Sequence, residues 1–341
     1  MTNTNVQRNS SDSVHEPPVM TDDLRIDVAP MTASAPALRE SVWSQLDGQS
    51  AAWGRQQRAL TLALAGVDAE KWFVHSVWSD DVLLGLCSSS VMRRATGEEY
   101  LAAVWLRCAE PSRRRETIRK LVDGCIQHTR ALGFSRLVLT RCAARDEDIN
   151  LATAALGFRT IEAPPDFHIK LDAPMSVASY IERLPRADRQ AFRRDLRRAA
   201  EAGAVLRTEL PPSTESLDAA WQLVAAVRER KHAEFNFEGR SLFTELVKWL
   251  VPGDFGIHAC YVGDEMVGCV SFERSNSHTL CRYVGHRTDF DWKVYMALLA
   301  SSVAQEIERG ATFIDLGYTN EVQKVRLGAV AVPHFTHSLR V

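Results

Sequence analysis

The sequence lacks the features that mark secreted, membrane-spanning and zinc-binding proteins. It has seven cysteines in 341 residues, and no two of them form a CxxC pair. That scatter argues against a disulfide scaffold or a zinc knuckle, and predicts reduced thiols in a cytoplasmic protein without a metal. No run of about 18 apolar residues is present, so we expect no membrane span. The N-terminus has no apolar stretch, so we expect no secretory signal.

An excess of charge of one sign is also missing. The formal net charge is −2, with 45% hydrophobic and 25% charged residues, which is the balance of an ordinary globular protein. This excludes a whole-protein field that attracts nucleic acid or an anionic membrane, so any anion-binding surface must be local. The length is sufficient for two domains, each with its own core.

An internal repeat is the most informative pattern that is present. The segments VHSVWSDDVLLG, from Val74, and IHACYVGDEMVG, from Ile257, each place a histidine after a β-branched residue, followed by an acidic turn and a glycine. Each predicts a β-hairpin. Later in each half an amphipathic helix, over Arg114–Leu132 or Trp292–Arg309, stops at a glycine. A short strand, a short helix and a last strand follow, so each half predicts a β-β-β-α-β-α-β unit with a mixed sheet.

The chain divides into three predicted regions. Residues 1–35 are rich in Ser, Thr, Asn, Asp and Pro and predict a disordered tail. Prolines such as Pro164 and Pro165 mark a break between the two repeats. We therefore predict one domain over 36–172 and a second over 173–341, which begins with a basic helix.

Two segments of the second half carry a family resemblance. They are YIERLPRADRQAFRRDLRRAAEAG, from Tyr180, and FIDLGYTNEVQKVRLGA, from Phe313. Together with the order of elements over 38–341, they resemble the GNAT acyltransferases, in particular the Fem-type transferases and related acetyltransferases. The resemblance implies an α/β fold of two tandem GNAT-like domains, each with a mixed central sheet flanked by helices. It also implies an N-acyltransferase whose donor is an acyl-CoA or, as in Fem-type enzymes, an aminoacyl-tRNA.

The loops expected to hold the phosphates of a donor depart from the GNAT pattern, Arg/Gln-x-x-Gly-x-Gly/Ala, in which backbone N–H groups and a helix N-terminus bind pyrophosphate. Neither half has the glycines. The first half has Ser112, Arg113, Arg114 and Arg115, a cationic cluster that predicts phosphate binding. The second, over 286–293, has two acids that repel a pyrophosphate. Both donors therefore stay open.

Asp315 is the leading catalytic candidate because it interrupts an apolar strand. Counted from the glycines that end the long helices, it corresponds to Val138 of the first half. A buried carboxylate is either paired for structural reasons or acts as a base, or an orienting acceptor, for an attacking amine, with a pKa raised by its crevice. His286 ends a strand that the crossover helix predicts beside Asp315. We expect the two to approach as an acid/base pair, although a structural histidine is the alternative.

Two tyrosines complete the predicted site. Tyr318 lies just beyond the strand that ends at Asp315, where open α/β sheets bind ligands. Its phenol can protonate a leaving thiolate or hold an acyl oxygen, and aromatic packing is the alternative. Tyr283, near the end of the preceding strand, is predicted to contact substrate.

Cationic side chains offer further binding sites. Lys324 and Arg326 open the short helix after Asp315 and are predicted to clamp a carboxylate or phosphate of the substrate, unless they form a solvated helix face. The predicted helix Val177–Ala202 has seven arginines against four acids. Its Arg193 and Arg197 lie on one face and predict contact with tRNA, CoA phosphates or a phosphorylated lipid, or again a solvated face.

Three functions follow from these patterns. The first is transfer of an acyl group from acyl-CoA to an amine of a small metabolite or peptide by direct attack. The second is amide formation from an aminoacyl-tRNA. The third is a binding module that keeps the fold without the chemistry, which the missing glycine loops favour and Asp315 opposes.

Overall fold

The strands of the protein form one continuous mixed sheet. The computed structural model describes residues 24–30, 71–93, 97–108, 111–230 and 254–341. The strands are β1 (Leu24–Pro30), β2 (Trp72–Ser79), β3 (Val82–Arg93), β4 (Glu99–Cys108), β5 (Arg136–Ala143), β6 (Arg159–Lys170), β7 (Ala204–Glu209), β8 (Phe255–Val262), β9 (Glu265–Ser275), β10 (His278–His286), β11 (Phe313–Asp315) and β12 (Val330–Arg340). The helices are α1 (Arg114–Ala131), α2 (Glu147–Ala155), α3 (Val177–Arg183), α4 (Arg186–Glu201), α5 (Thr214–Arg230), α6 (Val294–Glu308) and α7 (Glu321–Arg326).

The two long helices form where the periodicity predicts them. Helix α1 buries a stripe that includes Ile118, Leu121 and Val122. Both α1 and α6 are followed by a glycine at positive φ, Gly133 and Gly310, which closes the helix in the left-handed conformation that glycine adopts without steric cost. Each half has a buried core of its own beside its long helix. In the described part of the chain, no helix is long and apolar enough to cross a membrane.

The last strand of each half lies in the sheet of the other half. The strand order is β1-β2-β3-β4-β5-β12-β6-β11-β10-β9-β8-β7. Strand β12 therefore pairs with β5, and β6 pairs with β11. These two exchanged strands also pair with each other, so that β5, β12, β6 and β11 are each antiparallel to the next. The two units meet across the exchanged strands and share backbone hydrogen bonds.

Two predictions are wrong, one about where regular structure begins and one about where the chain breaks between the repeats. Strand β1 lies inside the predicted disordered tail 1–35 and pairs with β2 along its whole length. It does so because the LRIDVAP segment alternates between apolar and polar residues and forms a half-buried strand. The rest of that tail lies outside the described residues. Pro164 and Pro165, predicted to break the chain, lie within β6. They fall near a register irregularity between β6 and β12, a position where proline is tolerated in a sheet.

The predicted basic helix is two helices. Helix α3 ends at Arg183, and α4 begins at Arg186 after Pro185, whose ring cannot continue a helix. A further strand, β7, follows α4 and pairs with β8, as β1 pairs with β2. The sequence pattern did not predict β7.

The strand pair β5–β12 of the first unit has the same register as the pair β11–β6 of the second. Where β12 meets β5, Val341 N donates to Ser135 O at 3.1 Å, and where β6 meets β11, Leu171 N donates to Thr312 O at 2.8 Å. Counting along each strand from these bonds gives the equivalent positions. They are, first unit then second, Val138 and Asp315, Ser338 and His168, and Arg141 and Tyr318. The predicted correspondence of Val138 with Asp315 is confirmed.

Candidate active site

Asp315 lies at the end of β11, directly opposite His168 of the exchanged strand β6. The Oδ2 atom of Asp315 is 3.6 Å from Nε2 of His168, and its Oδ1 atom accepts a hydrogen bond of 2.7 Å from the backbone N–H of Gly317. Both side chains are largely buried, at 17% and 15% exposed. The strand exchange thus brings a histidine from the first half of the chain to the carboxylate of the second.

A second carboxylate stands beside this pair. Asp166, two residues before His168 on β6, forms an ion pair with Arg141, and its Oδ2 atom is 3.5 Å from Nε2 of His334. Arg141 belongs to β5 of the first unit, and His334 belongs to β12. Side chains from four strands therefore converge here.

The pKa of Asp315 is lowered, contrary to prediction. Burial acts to raise it, but the hydrogen bond and charge of His168 and the N–H of Gly317 outweigh burial. The carboxylate therefore stays ionised. An ionised carboxylate beside an imidazole orients the ring and stabilises its protonated form, so Asp315 suits the role of orienting acceptor better than that of proton acceptor.

The side chains of Asp166, His168 and Asp315, here called the Asp315 cluster, are close enough together to bind a metal ion. The cationic side chain of Arg141 lies beside them. The potential ligand atoms of Asp166, His168 and Asp315 all lie within 4.8 Å of one another. The guanidinium of Arg141 already contacts Asp166, and its charge opposes the approach of a divalent ion. The residues present therefore fit proton transfer better than metal binding.

Asp315 and His168 face one side of the sheet, and their chain neighbours face the other. Ile314 and Phe167 pack in the core that includes α6. Since successive side chains of a strand alternate between faces, Asp315 and His168 point away from α6. Glu273 of β9 lies on the same face, because Leu280 of β10 pairs with Asp315 on one side and with Glu273 on the other.

Helix α5 lies on that same face, because Cys269, four residues before Glu273 on β9, donates from its sulfur to Ala220 O of α5 at 3.5 Å. Asp315 and His168 therefore belong to the α5 side of the sheet.

His286 does not approach Asp315. The register places Leu280 beside Asp315, and His286 is six residues further along β10, roughly 20 Å away at about 3.3 Å per residue. The imidazole of His286 lies against Tyr295 of α6, with ring centroids 5.3 Å apart. The predicted acid/base pair of His286 and Asp315 is wrong, because the crossover aligns the beginnings of β10 and β11 and not their ends.

Tyr318 stands at the mouth of the Asp315 cluster. It is 36% exposed, and the guanidinium of Arg141 lies over its ring, 4.5 Å from the centroid. Burial raises the pKa of the phenol, while the charges of Arg141 and Arg228 oppose the rise. The phenol therefore keeps its proton at neutral pH and can donate it. Burial likewise raises the pKa of Tyr283 to about 12, and its backbone N–H donates to Ser271 Oγ at 3.1 Å.

A groove lies on the opposite, α6 face. It encloses about 320 Å³ between the end of β10, the start of α6 and helix α7. Its lining includes His286, Lys293, Tyr295, Gln323 and Arg326. The start of α6 adds the positive end of a helix dipole. The groove is therefore suited to an anionic or extended ligand.

Comparison with known proteins identifies this architecture. The GNAT acetyltransferase domain family matches residues 186–325, and no curated relative matches the sequence. FemX has a similar structure, with a TM-score of 0.60 at 12% identity over 89% of this chain and 96% of FemX. The chain has the tandem GNAT fold.

Two further structures agree with the GNAT fold. A tandem GNAT protein from the clavulanic acid biosynthesis pathway has a TM-score of 0.57 at 15% identity, over 93% of this chain and 98% of its own. L-PGS from Bacillus licheniformis has a TM-score of 0.53 at 12% identity, over 74% and 80%. The predicted fold class, a mixed α/β sheet of two tandem GNAT-like units, is confirmed.

The second GNAT unit has an opening between its two parallel strands. Strands β10 and β11 pair only over His278–Leu280 and Phe313–Asp315. Beyond Leu280, β10 continues to His286 while β11 stops, and the register of β10 against β9 shifts between Cys281 and Val284. The groove on the α6 face is lined by His286, at the far end of β10, and the Asp315 cluster lies on the other face near the point where β11 stops.

Most of the arginines that were predicted to bind phosphate form ion pairs with acidic residues of the protein itself. In the first unit Arg113 pairs with Glu116, and Arg114 and Arg115 pair with Asp148. Ser112 lies in the turn before α1. Local ion pairs thus offset much of the charge that predicted a phosphate cradle.

The basic helix α4 is offset in the same way. Arg193 pairs with Glu182 of α3, and Arg197 pairs with Glu201 one turn along. Arg326 lines the groove and lies 3.4 Å from Asp188 of α4. The exposed charge of α4 is therefore smaller than the arginine count implies.

Lys324 is neither a solvated residue nor a groove residue. It is 2% exposed, and its Nζ lies 5.6 Å from the ring centroid of Phe167. Helix α7 turns this side chain inward against the core, and the predicted clamp of substrate by Lys324 stays a prediction.

The residues that sequence reasoning missed are Asp166, His168 and Arg141. A signal existed for two of them: Asp166 and His168 alternate with the buried Phe167 and Ile169, which predicts a strand with one polar face. The partner of that face was not readable, because it belongs to the other repeat.

Proposed function

We propose that the protein is an N-acyltransferase whose second unit transfers an acyl group from acyl-CoA to an amine. The observation that carries the proposal is the opening between β10 and β11, with a groove on one face and the Asp315–His168 pair on the other. A donor bound in the groove can present its thioester at the opening, while the acceptor approaches from the α5 face. Holding both partners at one opening supplies rate by proximity.

The groove supports acyl-CoA as the donor. Its volume of about 320 Å³ is within the usual range of small-molecule sites. Lys293 is exposed at the start of α6, where a helix N-terminus favours phosphate. Of the two acids predicted to repel a pyrophosphate, Asp289 pairs with Arg287, which also pairs with Glu265.

The chemistry is a direct attack. The acceptor nitrogen attacks the thioester carbonyl carbon, the N–C bond forms and the C–S bond breaks. His168, oriented by Asp315, takes the proton that the nitrogen loses, and Tyr318 donates a proton to the leaving thiolate. Cys281 is not needed as a nucleophile, since burial raises its pKa well above the ordinary value and keeps the thiol protonated.

The aminoacyl-tRNA alternative has less support. It needs a cationic surface for the phosphate backbone, and three of the arginines of α4 that would contribute to it, Arg189, Arg193 and Arg197, are paired with Glu182 and Glu201. An RNA-dependent activity would revive this alternative.

The test is a donor assay on the full chain. Acyl-CoAs of increasing chain length are incubated with a panel of amines, and free thiol and amide product are measured, with and without RNase. We expect RNase-resistant thiol release that depends on an amine. Activity that requires charged tRNA and disappears with RNase contradicts acyl-CoA use.

A variant pair places the chemistry. Asp315→Asn removes the charge that orients His168, so we expect the rate to fall about 100-fold or more. Asp264→Asn, in the exposed turn between β8 and β9, is the matched control and leaves the rate unchanged. Equal rates in both variants remove Asp315 from the mechanism.

A further inference from the structure

Arg141 adopts a backbone conformation that needs an explanation. Four non-glycine residues in the described ranges have positive φ, and three of them, Asp80, Asn276 and Asn320, are of the residue types that visit this region most readily. The fourth is Arg141, with φ of 56° near the end of β5. A long side chain in this conformation is strained, and such strain is concentrated at functional sites.

The strained backbone sends the Arg141 side chain out of its own unit. Its guanidinium reaches across the exchanged strands to pair with Asp166 and to stack on Tyr318 of the second unit. The side chain stays 34% exposed, so a ligand can reach part of it from solvent. A guanidinium has five N–H donors, and the contact with Asp166 leaves others for a ligand.

Charge is separated along this crevice. Its inner end holds the carboxylate of Asp315 beside His168. Its outer end, around Tyr318, has the guanidinium of Arg141, which pairs with Asp166, and the positive charge of Arg228 from α5 acts on the same phenol. A molecule with an ammonium group at one end and an anion at the other matches this arrangement.

We propose that the acceptor is an amine that carries a carboxylate close to its nitrogen, as a free amino acid does, and that Arg141 binds this carboxylate beside Tyr318. The amine then lies toward His168 and Asp315, where the proposed transfer removes its proton. This inference rests on the proposed function for its chemistry. It also makes the active site composite, because a specificity residue of the second unit comes from the first.

The experiment compares acids with their neutral analogues. Amino acids and their α-amides are offered as acceptors with the acyl-CoA that supports turnover, and kcat/KM is measured for each. We expect the wild type to prefer the acids about 10- to 100-fold, the value of a hydrogen-bonded charge pair. In Arg141→Asn that preference falls to about 1, through KM, with the amides little changed. Asparagine suits this variant because it tolerates positive φ.

Two further variants make the result decisive. Arg141→Lys keeps the charge but loses the planar fork, so we expect an intermediate preference. Arg145→Gln, an exposed arginine four residues on, is the matched control and keeps the wild-type preference. Equal use of acids and amides by the wild type, or an unchanged preference in Arg141→Asn, overturns the inference while the transferase activity stands.

Calorimetry with the same amino acids and amides, without donor, separates the two proposals. If no acyl-CoA is turned over, the proposed function fails. Tighter binding of acids than amides by the wild type, lost in Arg141→Asn, still supports the anion site, and equal binding overturns it.

Discussion

The two units of this protein differ most at the positions where their exchanged strands meet. In the second unit Asp315 faces His168, and Tyr318 follows the strand end. In the first unit the equivalent strand pairs Val138 with Ser338. The same backbone therefore carries a carboxylate–imidazole pair in one copy and a valine–serine pair in the other.

The side chains at the third pair of equivalent positions contact each other across the two units. Arg141 of the first unit occupies the place of Tyr318 in the second, and the two side chains stack on each other. At the equivalent positions the first unit has no counterpart of the Asp315–His168 pair, but its Arg141 side chain reaches Tyr318 of the second unit. Under the proposed function, this comparison makes the first copy a support that also contributes a binding group.

The largest expected effect tests the asymmetry directly. His168→Ala removes the proposed base, so we expect acyl transfer to fall about 100- to 10,000-fold. Ser338→Ala changes the equivalent residue of the first unit and leaves the rate within about 2-fold. Initial rates of thiol release measure both. Similar losses in the two variants would mean that both copies contribute to the chemistry.

A second difference lies in the cores beside the long helices. Glu306 of α6 accepts hydrogen bonds from Arg274 Nε at 2.8 Å and Thr279 Oγ1 at 2.6 Å, and His258 lies 2.9 Å away. The equivalent residue of α1 is Thr129. Burial acts to raise the pKa of Glu306, but hydrogen bonds from His258 and Arg274 lower it to about 2. The second unit thus has a buried ionic cluster where the described part of the first unit has Thr129.

Breaking that cluster is expected to cost more than changing its counterpart. Glu306→Gln leaves a buried arginine without its counter-charge, so we expect the free energy of unfolding to fall by about 3–5 kcal/mol. Thr129→Ala removes a single hydrogen bond to Cys125 O and costs about 1 kcal/mol. Denaturant unfolding followed by tryptophan fluorescence measures both, and equal losses contradict the assigned role of the cluster.

Acid is expected to affect the two units in different pH ranges. Burial lowers the pKa of His75 in the first unit to about 4, so its stabilising effect is complete above about 6.5 and is lost as the pH falls toward 4. Glu306 in the second unit has its pKa lowered to about 2, so its contribution is lost only below about 4.5. The repeated residue His258 also has its pKa lowered by burial, but Glu306 opposes that shift.

A variant isolates the histidine effect. His75→Gln keeps a partner for Ser89, which lies 2.8 Å from the imidazole, and removes the titrating group. Between pH 6.5 and 4 the wild type is expected to lose on the order of 3 kcal/mol of its free energy of unfolding through this histidine, and the variant is expected not to show that loss. Thermal unfolding across this range measures the change. An unaltered pH dependence would assign the acid sensitivity to another group.

The smallest expected effect concerns the donor. Lys293→Gln, at the groove of the second unit, is expected to raise KM for acyl-CoA about 3- to 10-fold, the value of one exposed contact with phosphate. Arg115→Gln, in the first unit, leaves KM unchanged because Arg115 already pairs with Asp148. The reverse result would move the donor to the first unit.

Sequence patterns were sufficient for most of the elements and not for their partners. The repeat with His75 and His258 predicted both hairpins, which β2–β3 and β8–β9 confirm. The glycine count predicted the equivalence of Val138 and Asp315. The predicted neighbour of Asp315 was His286, because the crossover does make β10 and β11 adjacent. Which parts of two neighbouring strands lie side by side depends on register, and the sequence contains no local signal for it.

By itself, the sequence determined a duplicated α/β chain, the helices α1 and α6, and an acid in a strand that is otherwise apolar. These follow from local chemistry: side-chain periodicity, glycine at helix ends and the cost of a buried charge. Only the tertiary structure decided that the last strands are exchanged, that His168 is the partner of Asp315, and that Arg141 meets Tyr318. Those contacts join residues far apart in the chain, and the pairing of strands across the sheet selects them.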